Sequence, residues 1–401
     1  MLPNKTICAL PWVSVEVTPG GNYRPCCLAH DDLTHQGRKL EAADTISTAF
    51  ASDSLRQLRQ EFLEGKKPTT CERCWNEESV GKTSKRQRHL QKFHAKKQLD
   101  KINWSVDSQD QLWFLDLKLG NICNLKCRIC GPWSSSRWAQ ENMDRAYQNK
   151  YRKLTMAYIE QKKKEWPRHS PEFWQDLETL LPNVTEFEFT GGEPFLISEH
   201  FDVLEKAVEL GVSQQIDLHY NTNGTVWPQQ AHIWKHFNRV EIAFSIDNIG
   251  EKFELERSGA NWNQLLATIA SAREFFSVKR IQLQACVTVS VYNILDLPEI
   301  CAWLDQQHFD SVYLNLLHDP WYFNISRMTD QAKARAAEKL SVLFDHEKFS
   351  DDIKQIAAFM QAGVSSDGKE FCRVVKDIDI VRKEDFSRTH RDIALTMNYG
   401  S

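Results

Sequence analysis

Between residues 110 and 320, short apolar-rich stretches of strand length alternate with longer stretches in which apolar residues recur every three or four positions. The pattern predicts strands near 113–119, 185–190, 215–221, 239–246, 280–290 and 311–317, and helices near 134–163, 198–210, 228–237, 261–277 and 294–307. Strands and helices in strict alternation are the mark of parallel β/α units. Ahead of this region the pattern changes. Trp12 to Val17 alternates like a strand, Pro19-Gly20-Gly21-Asn22 forms a turn, and Tyr23 to Cys27 returns, which predicts a hairpin. Ser54 to Glu64 follows with helical period, apolar at Leu55, Leu58 and Phe62. After Pro320 come Trp321-Tyr322-Phe323, a predicted helix from Thr329 to His346 and another from Asp351 to Ala362, then a mixed polar and aromatic end.

Side chains along a strand point alternately to opposite faces. Glu186, Glu188 and Thr190 therefore share a face, as do Asp217, His219 and Asn221; Glu241, Ala243 and Ser245; Gln282, Gln284, Cys286 and Thr288; and Tyr313 and Asn315. The opposite faces are apolar: Phe187 and Phe189; Leu283, Ala285, Val287 and Val289; Leu314 and Leu316. Covering helices need an apolar surface, so the polar set is expected to be the lining of an incomplete barrel. A packed barrel would carry Val, Ile and Leu inside. This lining instead holds carboxylates, amides and a histidine, which suits either a polar substrate or a self-satisfied polar network.

Length and composition narrow the class. The chain has 401 residues, enough for a barrel-sized domain and accessory modules, and 41% hydrophobic content without a run of membrane-spanning length. A formal charge of −4 argues for neither a nucleic-acid nor a membrane partner. Residues 82–101 are an exception: Lys82, Lys85, Arg86, Arg88, Lys92, Lys96, Lys97 and Lys101 make a basic, helical linker, read as a solvated face ahead of a nucleic-acid site, or as a dock for an acidic electron donor or substrate segment. The N-terminal Met-Leu-Pro-Asn-Lys lacks a signal peptide's apolar segment, so a cytoplasmic location is expected. Eleven cysteines in a reducing compartment point to metal ligation rather than disulfides.

The cysteines cluster. Cys123, Cys127 and Cys130 follow the first predicted strand of the β/α region, spaced C-x3-C-x2-C. Three thiolates on one loop can hold three irons of a cubane cluster and leave the fourth iron open. With Ile129 before the last cysteine, this spacing resembles the signature of radical S-adenosylmethionine (SAM) enzymes. The resemblance implies a (β/α)6 partial barrel. It also implies a [4Fe–4S] cluster whose open iron is chelated by SAM, and one-electron cleavage of SAM to a 5′-deoxyadenosyl radical.

Later motifs fit the same family. Thr190-Gly191-Gly192-Glu193-Pro194 is similar to its GGEP motif, implying main-chain contacts to the SAM amine. Asn221-Thr222-Asn223-Gly224 resembles its TNG motif, although Asn-Gly is also a common turn. Phe244-Ser245-Ile246-Asp247 with Arg257 resembles a pattern in which serine and arginine bind the SAM carboxylate and ribose; a structural salt bridge is the other reading of Arg257. Asn293, after the fifth strand, would contact ribose or adenine, and Ile129 would pack on the adenine. The motifs end strands, where parallel barrels gather function.

The N-terminal hairpin, helix and cysteines resemble the shortened SPASM, or twitch, module of the same family, which holds an auxiliary [4Fe–4S] cluster. In most relatives that module follows the barrel; here it precedes it. Cys8, Cys26, Cys71 and Cys74 are the expected ligands, with Cys26 and Cys27 not separable by sequence, and four thiols also suit a tetrahedral zinc. The expected organisation is an α/β chain with a cluster module over 1–81, a basic linker over 82–109, the partial barrel over 110–320 and a helical cap over 321–401. Cys286 in the lining and Cys372 in the cap are candidate hydrogen-atom donors, set against the commoner reading of a buried thiol as a small hydrophobe. The resemblance implies a radical oxidoreductase acting on a peptide or a small polar metabolite, with a flavodoxin- or ferredoxin-type electron donor. A non-catalytic metal-bearing binder is the alternative of another class.

Overall fold

The computed structural model describes residues 2–148, 163–275 and 281–399. The far ends of the helices expected over 134–163 and 261–277, and the first residue of the strand expected over 280–290, lie outside them. One eight-stranded sheet organises the molecule. Its strands are Ser14–Val17 (β1), Tyr23–Arg24 (β2), Phe114–Leu117 (β3), Glu186–Phe189 (β4), Asp217–Thr222 (β5), Arg239–Ser245 (β6), Ile281–Val289 (β7) and Ser311–Leu316 (β8). Their spatial order is β8-β7-β6-β5-β4-β3-β1-β2. Every pairing is parallel except β1 with β2.

The six strands expected between 110 and 320 are all present, within a few residues of the predicted ends. The parallel strands number seven, however, because β1 pairs with β3 over Ser14↔Phe114 to Val17↔Leu117. The hairpin expected as a separate module therefore extends the sheet, and covers the edge that β3 would otherwise leave unpaired. β1 is buried along its whole length, as an interior strand must be. It is also shorter than the alternation suggested: Leu10–Val13 forms a helical turn, which Pro11 starts without needing an N–H partner.

The α-helices of eight residues or more among the described residues are Asp53–Leu63 (α1), Glu72–Ser79 (α2), Lys85–Ala95 (α3), Ser136–Gln148 (α4), Pro171–Leu180 (α5), Glu199–Glu209 (α6), Trp262–Phe275 (α7), Leu297–Gln306 (α8), Asp330–Leu340 (α9), Ser350–Ala362 (α10) and Lys369–Arg382 (α11). The expected helix over 228–237 is a 3-10 helix, Gln229–His236. The apolar faces of the strands are buried as expected, with Phe187, Phe189, Leu283, Ala285, Val287, Val289, Leu314 and Leu316 all in the core. Each large apolar side chain buried there stabilises the fold by about 1.5–3 kcal/mol.

α3 corrects the reading of the basic stretch. It does not stand clear of the protein as a linker; its cationic side lies along the polar face of the sheet. A Ser84–Gln87 capping box starts it. Lys85 Nζ then lies 3.1 Å from Glu188 and 3.9 Å from Asp116. One turn or more further on, Lys92 pairs with Glu186, and Lys96 bridges Glu186 (3.4 Å) and Asp217 (2.7 Å). The run of cations compensates a run of strand carboxylates that could not otherwise be buried ionised. Among the described residues no helix is long and apolar enough to cross a membrane.

Candidate active site

The loop after β3 carries Cys123, Cys127 and Cys130, and neighbouring elements hold it from three sides. Glu193 N–H donates to Ile122 O (2.7 Å), Arg128 N–H to Glu256 O (2.7 Å), and Trp138 Nε1 to Cys127 O (2.8 Å). Lys126–Cys127 also pairs with Arg257–Ser258 as a short antiparallel ribbon. The three thiols are close enough that the charges of Cys127 and Cys123 push the Cys130 pKa up, after burial, the larger cause. Burial likewise raises Cys123 to about 12. Uncharged thiols are what such a site favours until a cation arrives, and a bound metal reverses that preference. The donor set therefore fits an iron–sulfur cluster.

The motif residues fall into two groups. Gly191 and Gly192 have φ of +72° and +62°, and a Cβ on Gly192 would lie 2.4 Å from Ile122 O. That turn thus presses main chain directly against the base of the cysteine loop. Ile129 packs against the core at its edge. Thr190 Oγ1 reaches Asp116 (3.4 Å), Ser245 stands in register with Cys286, and Asn221 Oδ1 accepts from His219 Nε2 (3.2 Å). These three stay partly accessible.

Glu193 and Asn293, by contrast, are turned to main-chain and side-chain groups of their own and neighbouring loops. Glu193 is fully buried and accepts from Thr222 Oγ1 (2.8 Å), Asn223 N–H (2.6 Å) and Phe195 N–H (3.1 Å); burial raises its pKa to about 7. Asn293 donates to Asp247 O (2.7 Å) and Thr288 O (2.9 Å) and accepts from Ser290 N–H (2.9 Å). Both side chains position loops rather than face a ligand. Asp247 and Arg257 form a buried ion pair at 2.6 Å, with Thr288 N–H on the other carboxylate oxygen (2.9 Å). The Arg257 guanidinium is within the electrostatic reach of Cys127 and Cys123, and its Nε has no partner among the described residues.

In the N-terminal residues, Cys8, Cys26, Cys71 and Cys74 line one small cavity with Leu10, Phe62 and Lys85 among its walls. Their charges act on one another, and burial, the largest cause, raises all four thiols, Cys26 to about 11. The structure separates the adjacent pair that sequence could not: Cys27 points away, accepting from Lys85 Nζ at 2.9 Å. Among the described residues no three His, Cys, Asp or Glu side chains are arranged to hold a single metal ion.

A cavity of about 360 Å³ lies on the polar face, between α3 and strands β4 to β8. Its walls include the expected Glu188, His219, Asn221, Gln284 and Cys286, together with Cys27, Lys85 and Arg88, which sequence reasoning did not assign to it. Lys85 and Leu28 also border the four-thiol cavity. On the other side, Cys286 feels Asp247 and Arg257, the pair next to the three-cysteine loop. The cavity therefore sits between the two thiol sets. Cys372 is elsewhere: its thiol donates to Met397 O (3.2 Å) within the C-terminal residues.

Much of the lining is paired internally. Glu16, Asp116, Glu188, His219, Glu241 and Gln282 stand in register across six neighbouring strands. Lys118 joins Glu16 to Asp116 (3.1 Å to the latter), Lys85 joins Asp116 to Glu188, and His219 meets Glu241 at 2.7 Å. Burial opposes ionisation of Glu188, but Lys85 and His219 outweigh it and hold the carboxylate ionised. Behind the cysteine loop lies another contact that no sequence signal marked. Arg128, fully buried, pairs with Asp379 on α11 and with Glu384 (2.6 Å).

Residues 117–304 match the family described as the Radical SAM superfamily, so this stretch is a radical SAM domain and the chain is an enzyme. The chain is 22% identical over 210 residues to GTP 3′,8-cyclase of Haemophilus ducreyi, covering 52% of this chain and 54% of that one. GTP 3′,8-cyclase of Vibrio cholerae is 20% identical over 210 residues, covering 52% and 55%. The chain thus spans about half the length of the curated relatives it matches. Among solved structures, native anSMEcpe with bound AdoMet is similar over 60% of this chain and 62% of its own, at 16% identity and a TM-score of 0.41. Streptococcus suis SuiB is similar over 74% and 60%, at 14% identity and a TM-score of 0.36. Likenesses this low carry no statement about substrate.

Proposed function

We propose, from the premise that residues 117–304 are a radical SAM superfamily domain, that this enzyme abstracts a hydrogen atom from a polar substrate held on the polar face of the sheet. The sheet is read as an open, partial barrel. Cys123, Cys127 and Cys130 would hold a [4Fe–4S] cluster, and Cys8, Cys26, Cys71 and Cys74 a second one, in a cluster-bearing N-terminal module of the twitch kind. The first cluster with SAM, once reduced by a flavodoxin- or ferredoxin-type donor, supplies the radical that attacks a carbon too inert for acid–base chemistry. In this reading Gly191 and Gly192 admit SAM by close main-chain approach, Arg257 meets its carboxylate, and Ser245 and Asn221 border it. Asp247 fixes the Arg257 guanidinium, while Glu193 and Asn293 hold the loops that carry these groups. Cys286 is the hydrogen-donor candidate that remains, since it borders the cavity and Cys372 does not.

The observation that carries the proposal is the cavity between the two thiol sets. A substrate there would lie between the source of the radical and an electron acceptor. One cluster suits the four-thiol set better than one zinc, because cluster thiolates bind separate irons and need not converge on a point. The substrate is proposed to be a peptide or protein segment, with a small polar metabolite as the second reading; the polar lining favours both over a lipid.

The test is anaerobic reconstitution followed by assay of iron, sulfide, zinc and dithionite-driven 5′-deoxyadenosine. About eight irons, no zinc and SAM cleavage are expected. Cleavage stimulated by peptides and not by metabolites selects the first reading. Absence of 5′-deoxyadenosine under every reducing condition would overturn the enzymatic proposal.

A further inference from the structure

The cavity on the polar face has an unbalanced charge. Its carboxylates are all engaged: Glu186 by Lys92 and Lys96, Glu188 by Lys85, and Glu241 by His219 and Arg239. Arg88 is the cation left over. Its guanidinium lies 4.8 Å over the Tyr313 ring, and one Nη donates to Thr83 O at 2.6 Å. Among the described residues no carboxylate forms an ion pair with it. Asp352 is near enough to feel its charge but makes no ion pair. Lys82, on the same ring at 5.9 Å, donates to Leu314 O and does not border the cavity.

An arginine set over an aromatic ring still has fork N–H groups to offer, and these match two oxygens of a carboxylate or phosphate. A guanidinium without a counter-ion in a half-buried wall is unfavourable, so an incoming anion gains what the fold leaves unsatisfied. Arg88 and Cys286 line the same cavity, so the anchor and the candidate hydrogen donor share one space. Gln284 and Asn315 line the cavity beside it and offer neutral donors and acceptors. At about 360 Å³ the space fits one side chain or a small molecule rather than a folded domain.

We propose that the substrate enters this cavity by an anionic group, a carboxylate or a phosphate, held by Arg88 against Tyr313. The inference rests on reading the cavity as the substrate site. It adds a required charge to the substrate, whether peptide or metabolite.

The experiment is calorimetric titration of the cluster-loaded full chain with four probes. They are a blocked pentapeptide with one glutamate between glycines, its glutamine counterpart, glutarate and inorganic phosphate. At least one of the three anions should bind at least tenfold more tightly than the glutamine peptide, and Arg88→Gln should remove that preference. Arg88→Lys, which keeps charge but not the fork, should retain part of it. Melting curves and iron content of both variants establish that they fold. Preference for phosphate alone identifies a phosphorylated substrate, and preference for glutarate or the glutamate peptide a carboxylate. No anion preferred over the glutamine peptide, or a preference that survives in Arg88→Gln, overturns the inference. Loss of SAM cleavage in the wild type would instead remove the enzymatic reading and leave the binding result standing.

Discussion

Cys123, Cys127 and Cys130 sit on one loop within eight residues, whereas Cys8, Cys26, Cys71 and Cys74 are brought together from separate segments. The first set needs only that its loop be shaped, and the Gly191-Gly192 turn and the 257–258 ribbon do that. The second exists only when the turn before α2, the return from β2 and the first residues of the chain pack around Phe62 and Lys85. A site assembled from distant segments gains its metal affinity from the fold and returns it as stability. Two thiol sets with the same chemistry thus differ in how far they depend on tertiary structure.

The largest effect should come from the local set. Replacing Cys123, Cys127 and Cys130 by alanine should bring 5′-deoxyadenosine to background and remove about half the iron. Iron assay with product chromatography checks both, and retention of SAM cleavage would dissolve the distinction between the sets.

Next is the assembled set. With Cys8, Cys71 and Cys74 changed to alanine, SAM cleavage should persist, about half the iron should be lost, and substrate conversion should stop. The sharpest form is the adjacent pair: Cys26→Ala should lose auxiliary iron, and Cys27→Ala should keep all of it. Equal losses from the two variants would mean that Cys27 is also a ligand.

Arg128 tests whether the local loop is as self-sufficient as its spacing suggests. Arg128→Ala leaves Asp379 without its buried partner and should cost about 3–5 kcal/mol in urea unfolding. Chelators should also strip the first cluster faster. Unchanged stability and chelation rate would show that the C-terminal residues merely cover the loop.

The smallest effect is a pH dependence in the lining. Burial disfavours charged His219, but its hydrogen bond to Glu241 and the Glu188 charge outweigh that and raise its pKa. Its stabilisation is therefore complete below about pH 6.5, the unfolded value, and lost as pH rises through the higher folded value. Burial raises and His219 lowers the Glu241 pKa, for a net value of about 2, so its own contribution disappears only in acid. Glu241→Gln should cost about 1–3 kcal/mol at pH 6 and flatten the decline toward pH 9. Urea midpoints across that range provide the check; parallel curves for the two proteins would exclude the coupling.

The period-2 pattern of β4 to β8 made the polar and apolar faces legible, because alternate side chains must face opposite ways and only the apolar ones can meet helices. The β/α alternation likewise made the parallel strands legible, and the C-x3-C-x2-C and GGEP spacings made the loop legible, since these features lie within one segment. The seventh parallel strand does not emerge from sequence, because whether β1 joins β3 depends on a pairing between residues 100 positions apart. The solvated-face reading of α3 fails for a related reason. A lysine-rich helix looks solvated until the carboxylates that neutralise it are known, and those stand on strands β3, β4 and β5.

What the chain determined locally is the order of its elements, the faces of its strands and a loop able to present three thiols. What tertiary structure alone decided is which cysteine of the 26–27 pair joins the assembled set and which side chains of the lining are already paired. It also decided that, among the described residues, Arg88 is left without a carboxylate ion pair. The physical reason is that alternation and motif spacing act over a few bonds, whereas charge compensation and metal-site assembly depend on distances between segments that only the packed sheet brings together.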